Sequence, residues 1–181
     1  LIFSLKALVF IAVLAPRAFA DAESDKELIK ACLQGQIASV KTLADKGANV
    51  NGSTDKGLTP LMVSSLQGHE EVVKFLLSKK ADVNARDVTG TSALMAAAKR
   101  GHINVVQALV GSGANVAFQS DKGLTAIALA AMDGHLEVVK YLAGKGADLN
   151  AKAQNGLTPL GFASLGNHTS VIEFLKSKGA Q

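Results

Sequence analysis

A 33-residue repeat constrains this chain more than any other feature. Gly57, Gly90, Gly123 and Gly156 follow one another at that step, and so do His69, His102, His135 and His168. The pentapeptide DKGLT stands at 55–59 and again at 121–125. Such a period means one supersecondary unit copied and stacked, because a single copy cannot bury its apolar face alone. It divides the chain into a leader, 1–20, an opening unit, 21–52, three full units over 53–151 and a closing unit, 152–181.

Each full unit reads as a turn, a helix, a tight loop and a second helix. Gly57 stands where the turn asks for positive φ. Thr59 caps the first helix and Pro60 fills its first position, where a missing N–H costs nothing. The spacing predicts a helix over 61–67, a loop at Gly68-His69 and a second helix over 71–78. In the opening unit, Ser24 and Glu27 fit a capping box, and a second helix is predicted over 37–46. None of these helices is long enough to be stable alone in water, so each must stack on a neighbour.

The repeat places like residues in columns. Ala31, Ser64, Ala97, Ala130 and Ala163 form one small-residue column, and Cys32, Ser65, Ala98, Ala131 and Ser164 form the next. Leu43, Leu76, Leu109, Leu142 and Leu175 form an all-Leu column, beside a β-branched one of Val40, Val73, Val106, Val139 and Ile172. Composition agrees with this pattern. The chain is 48% hydrophobic but only 4% aromatic, so close approach of short helices, and not large rings, must supply the core.

Residues 1–20, LIFSLKALVFIAVLAPRAFA, have the layout of a secretory signal peptide: Lys6, an apolar run from Ala7 to Ala15, Pro16, then Ala18-Phe19-Ala20 at the spacing a signal peptidase reads. Even counted from Leu1 to Ala15, the run is interrupted by Lys6 and is short for a membrane span. Without Lys6 and Arg17 the remaining chain carries a formal +2, with no basic stripe of the kind phosphate backbones require. The single cysteine, Cys32, cannot form an intramolecular disulfide.

The segments 59–85, 92–116 and 125–151 resemble ankyrin repeats, and the resemblance runs from about Asp25 to Ala180. It implies an all-α solenoid of about five stacked helix–loop–helix units with short β-hairpin-like turns. It also implies a concave face of hairpin tips and first-helix surfaces that binds other proteins. The chain departs from the family in places. The usual His after Thr-Pro-Leu, which helps fasten neighbouring repeats, is replaced by Met62, Met95, Ala128 and Gly161. The turn Asp survives only at Asp87, with Thr54, Ser120 and Ala153 elsewhere. Lys80 stands where Gly47, Gly113, Gly146 and Gly179 end the second helix. Lys176 and Lys178 suit the polar outer face of a terminal unit.

Little in the sequence suggests catalysis. Successive loop histidines stack about 8–10 Å apart, too far to share one metal ion; they read as fasteners bonding nearby backbone. Cys32 sits in a column of Ser and Ala and reads as a packing residue. The sequons at Asn51 and Asn167 fall on repeat positions and read as incidental. The expected binding residues are Leu66, Lys99, Met132 and Leu165 near the end of the first helix, and Leu58, Thr91, Leu124 and Leu157 at the hairpin base. Lys56, Thr89 and Lys122 join them at the hairpin tips. Leu33 shares the first of these columns. The expectation is a monomeric, non-enzymatic scaffold that binds a partner protein, with no cofactor, metal or nucleic acid, and no membrane once the leader is removed. A bacterial periplasm is the expected address, because the leader is short and the rest is a bare repeat array. A secreted effector that engages a foreign protein is one alternative, and a hydrolase or redox enzyme the other.

The leader is expected to be cut after Ala20. Intact-mass analysis of the fraction released by osmotic shock should find Asp21 as the first residue. A species that keeps 1–20 and sediments with membranes would count against this.

Overall fold

The structure, a computed structural model, describes residues 23–181. The leader and its cut site lie outside the described residues. Ten helices pair into five units along them. The opening unit holds α1 over 23–33 and α2 over Ile37–Asp45. The next three hold α3, Pro60–Gln67, with α4, Glu70–Ser78; α5, Ala93–Lys99, with α6, Ile103–Gly111; and α7, Ala126–Met132, with α8, Leu136–Gly144. The closing unit holds α9, Pro159–Leu165, and α10, Thr169–Ser177. The first helix of each pair is called helix A below, the second helix B.

Local chemistry starts these helices where the sequence says it should. Thr59, Ser92, Thr125 and Thr158 are the N-caps of α3, α5, α7 and α9, each accepting from the backbone N–H three residues on. Pro60 and Pro159 open their helices without an N–H to satisfy. The opening unit differs from expectation. The helix already covers Glu23, so Ser24 and Glu27 lie inside it and form no capping box. Asp25 instead turns its carboxylate to the backbone N–H of Asn49, 2.6 Å away, beyond the second helix.

Packing follows the columns. Ala31, Ser64, Ala97, Ala130 and Ala163 are all buried, and neighbouring A helices pack more extensively than neighbouring B helices. Val40, Val73, Val106 and Val139, with Leu76, Leu109, Leu142 and Leu175, are buried in the seam of helix B. Leu43 and Ile172, in the two end units, are half-buried.

The loop histidines reach farther than the sequence suggests. The Nε2 of His69 lies 3.0 Å from the carbonyl of Leu33, and His102, His135 and His168 repeat this to Leu66, Lys99 and Met132 at 3.2, 2.9 and 2.9 Å. The acceptor is in the preceding unit, not in the histidine's own loop. It is a carbonyl at the end of helix A, one of those no intrahelical N–H can satisfy. The ring also crosses the loop glycine of that preceding unit. A Cβ on Gly68 would stand 2.6 Å from the ring of His102, which leaves no room for a side chain. Asn167 takes the same place in the closing unit at φ 56°, with no following unit described to set a ring over it.

A second set of bonds links the segments after helix B. Asn51 Oδ1 accepts from the N–H of Asp82 at 2.7 Å, Asn84 from Asn115 at 2.9 Å and Asn150 from Gln181 at 2.8 Å. The fourth position of this column is Ala117, which has no side chain to offer Asp148. Ala117→Asn should therefore stabilise the array, by about 0.5–1 kcal/mol for an added hydrogen bond at an exposed site. Urea unfolding should show a higher midpoint at unchanged slope. A midpoint no higher than that of the parent would show that these bonds contribute nothing.

Candidate functional site

Three hairpins and three A helices enclose a groove of about 600 Å³. Its apolar wall comes from Leu58, Met62, Leu66, Met95, Leu124 and Leu129. The hairpins stand in register through backbone bonds between units. The N–H of Val88 donates to the carbonyl of Lys56 at 3.1 Å, Asp121 to Thr89 at 2.9 Å and Gln154 to Lys122 at 3.0 Å. Within the middle hairpin, Asp87 Oδ1 accepts from the N–H groups of Thr89 and Thr91 and from the Thr89 hydroxyl. Thr54 and Ser120 do the same work with a hydroxyl, each accepting from the N–H four residues on.

The groove gathers seven of the residues expected from the sequence: Leu58, Leu66, Thr89, Thr91, Lys99, Lys122 and Leu124. Lys122 and Leu124 also wall a smaller groove of about 300 Å³, together with Met132 and Phe162. The other three expected residues line neither. Lys56 is exposed on its hairpin, and Leu157 packs with Met132 against a small cluster of Ala128, Ala153 and Phe162. Leu165 is 71% exposed at the end of α9. The column Leu66, Lys99, Met132, Leu165 is thus spread over two grooves and an open surface. Its opening member, Leu33, is also exposed.

Sequence reasoning does not single out Met62 and Met95 as groove residues, although both depart from the family pattern. Two methionines at one repeat position, on the helix face turned to the hairpins, were the available signal. It also passed over Val88, 65% exposed on the middle hairpin. Its column holds Asp55, Asp121 and Gln154, so the apolar member is hidden among polar ones.

Capped short helices, ring-over-glycine loops and bonded hairpins at a 33-residue step together describe one known architecture. A family model for ankyrin repeats (3 copies) matches residues 6–87, 28–120 and 94–181. The chain belongs to the ankyrin repeat family. Ankyrin repeats are generally protein–protein interaction modules. No curated protein matches the chain.

Among the described residues no three His, Cys, Asp or Glu side chains converge as metal ligands would, and no helix is long and apolar enough to cross a membrane. On the outer side, Lys74 and Asn104 hydrogen-bond the Glu70 carboxylate, which holds its pKa below the usual range. That group is exposed, and exposed pairs contribute little.

Cys32 is fully buried in α1, and burial pushes its thiol from an ordinary 9.0 up to about 12. Below pH 9 both folded and unfolded chains keep the proton. Between pH 9 and about 12 the unfolded chain loses it first, so stability falls as pH rises through that window. Cys32→Ala should flatten the alkaline fall in urea midpoint relative to the parent. Native Cys32 should also react with a thiol reagent far more slowly than the denatured chain. Equal rates in both states, or identical alkaline profiles, would place the thiol at the surface.

Proposed function

We propose that this protein is a non-enzymatic ankyrin scaffold, exported to the periplasm, that receives a partner protein in the groove between its hairpins and A helices. The observation that supports this best is the groove's wall. Six large apolar side chains from three successive units face one solvent-open trough. Leu58, Leu66 and Leu124 are half-buried there and Met62, Met95 and Leu129 are buried; an apolar groove of this kind marks protein contact, and a recessed apolar centre is where binding energy concentrates. Family membership supports the same class of function. The export step rests on the leader's layout.

Leu66 and Ala96 are the residues with which to test it. Both line the groove, both are half-buried, and neither packs into an apolar cluster of the core. Leu66→Glu with Ala96→Arg should change stability by no more than about 1 kcal/mol, as surface substitutions do. It should abolish capture of the partner from the native compartment, because charge at the centre of an apolar contact is costly to desolvate. Glu137→Ala, on α8 beside Lys140, should capture the partner normally. A folded double variant that still captures the same partner would show that binding lies elsewhere.

A further inference from the structure

Resting on the preceding proposal, we propose further that the segment this groove takes carries a bulky apolar anchor flanked by carboxylates. The charge left open on the groove points to this chemistry. Lys99 ends α5 and Lys122 stands on the facing hairpin; both are exposed and both line the groove. Among the described residues neither joins an ion pair. Five lysines elsewhere have a carboxylate within 3.9 Å and several others among the described residues have none; Lys99 and Lys122 differ from those in standing at the edge of the apolar groove.

Of the groove's two acids, Asp87 is already engaged. Asp87 Oδ1 accepts three hydrogen bonds from its hairpin. The exposed Asp121 carboxylate forms no ion pair with Lys99 or Lys122 and lies over Gly90. A Cβ there would meet Asp121 Oδ1 at 2.8 Å and the Arg86 guanidinium at 2.5 Å. The net effect is an apolar floor bordered by two ammonium groups without partners. A segment that covers the floor with apolar side chains alone would desolvate those groups without compensation. A carboxylate beside the anchor offsets that cost, and the long lysine stems lie along the apolar wall while their heads reach it. The trough runs across three units, a span that suits a length of polypeptide.

A random peptide library displayed against the intact mature protein provides the test. Recovered peptides should pair a large apolar residue with nearby Asp or Glu. Their affinity should fall about tenfold or more in Lys99→Glu with Lys122→Glu, and should weaken as salt is raised. Lys140→Glu should leave it unchanged, and the charge-reversed groove should select Lys- and Arg-bearing peptides instead. Peptides without acids that bind parent and charge-reversed variant equally, yet lose binding in Leu66→Glu with Ala96→Arg, would overturn this inference and leave the groove as a binding site. Peptides indifferent to both double variants would overturn the groove as well. Recovery of no peptide above background also counts against the inference.

Discussion

The distance between neighbouring A helices sets most of what this structure does. It is short because the facing columns hold Ala31, Ser64, Ala97, Ala130 and Ala163, with Cys32, Ser65, Ala98 and Ala131 beside them, all buried. At that distance a histidine ring can cross the preceding loop and reach the carbonyl that ends the preceding helix A. The hairpins come close enough for backbone bonds between units, and Asn51, Asn84 and Asn150 reach the following segment. A larger residue in the small column would wedge these contacts apart together. Short helices that cannot stand alone thus become a stack held by nearest-neighbour interfaces.

Positions that break the repeat separate by physical cause. Lys80 keeps φ 64° where other units have Gly. At Gly47, Gly113, Gly146 and Gly179 a Cβ would meet nothing within 4 Å, so a side chain there carries a backbone cost and no clash. Asn167 has the opposite constraint. Its counterparts are forbidden a side chain by the ring above them, and Asn also tolerates the left-handed conformation. Ser65 keeps a buried hydroxyl with no hydrogen-bond partner among the described residues, at a position where Ala98 and Ala131 fill the space with no polar atom. Met62 and Met95 exchange a family histidine for flexible apolar side chains, and these form part of the groove wall.

Charge and apolar surface are distributed unevenly around the stack. Most of the ion pairs among the described residues run along the B helices, as with Lys74–Glu70, Lys79–Asp45 and Lys140–Glu137. On the groove side Asp87 serves its hairpin, while Lys99 and Lys122 remain open beside the apolar floor. The groove therefore combines area that gains from being covered with charges that restrict what can cover it. In the binding role proposed above, that combination would give specificity, since affinity from apolar contact is non-directional and ion pairing is not.

The amino-acid sequence by itself determined the unit, its period and its packing columns. Period, caps and small residues are local or strictly repeated signals, so Thr59, Pro60, Gly68 and Ala97 could be assigned without coordinates. The loop histidines were recognisable as fasteners, but their acceptors lie 36 residues back, and only the stack brings Leu33 to His69 or Met132 to His168. Ser24 and Glu27 matched a capping pattern, yet the helix already covers Glu23 and Asp25 bonds Asn49. The site was legible in part for the same reason. A column names residues that share a face, as with Leu66, Lys99, Met132 and Leu165. Whether they share a groove depends on what stands opposite. Tertiary structure decided that, by setting the hairpins across from Met62, Leu66 and Met95 and by packing Met132 and Leu157 against Phe162, because depth is a property of two surfaces and not of one helix.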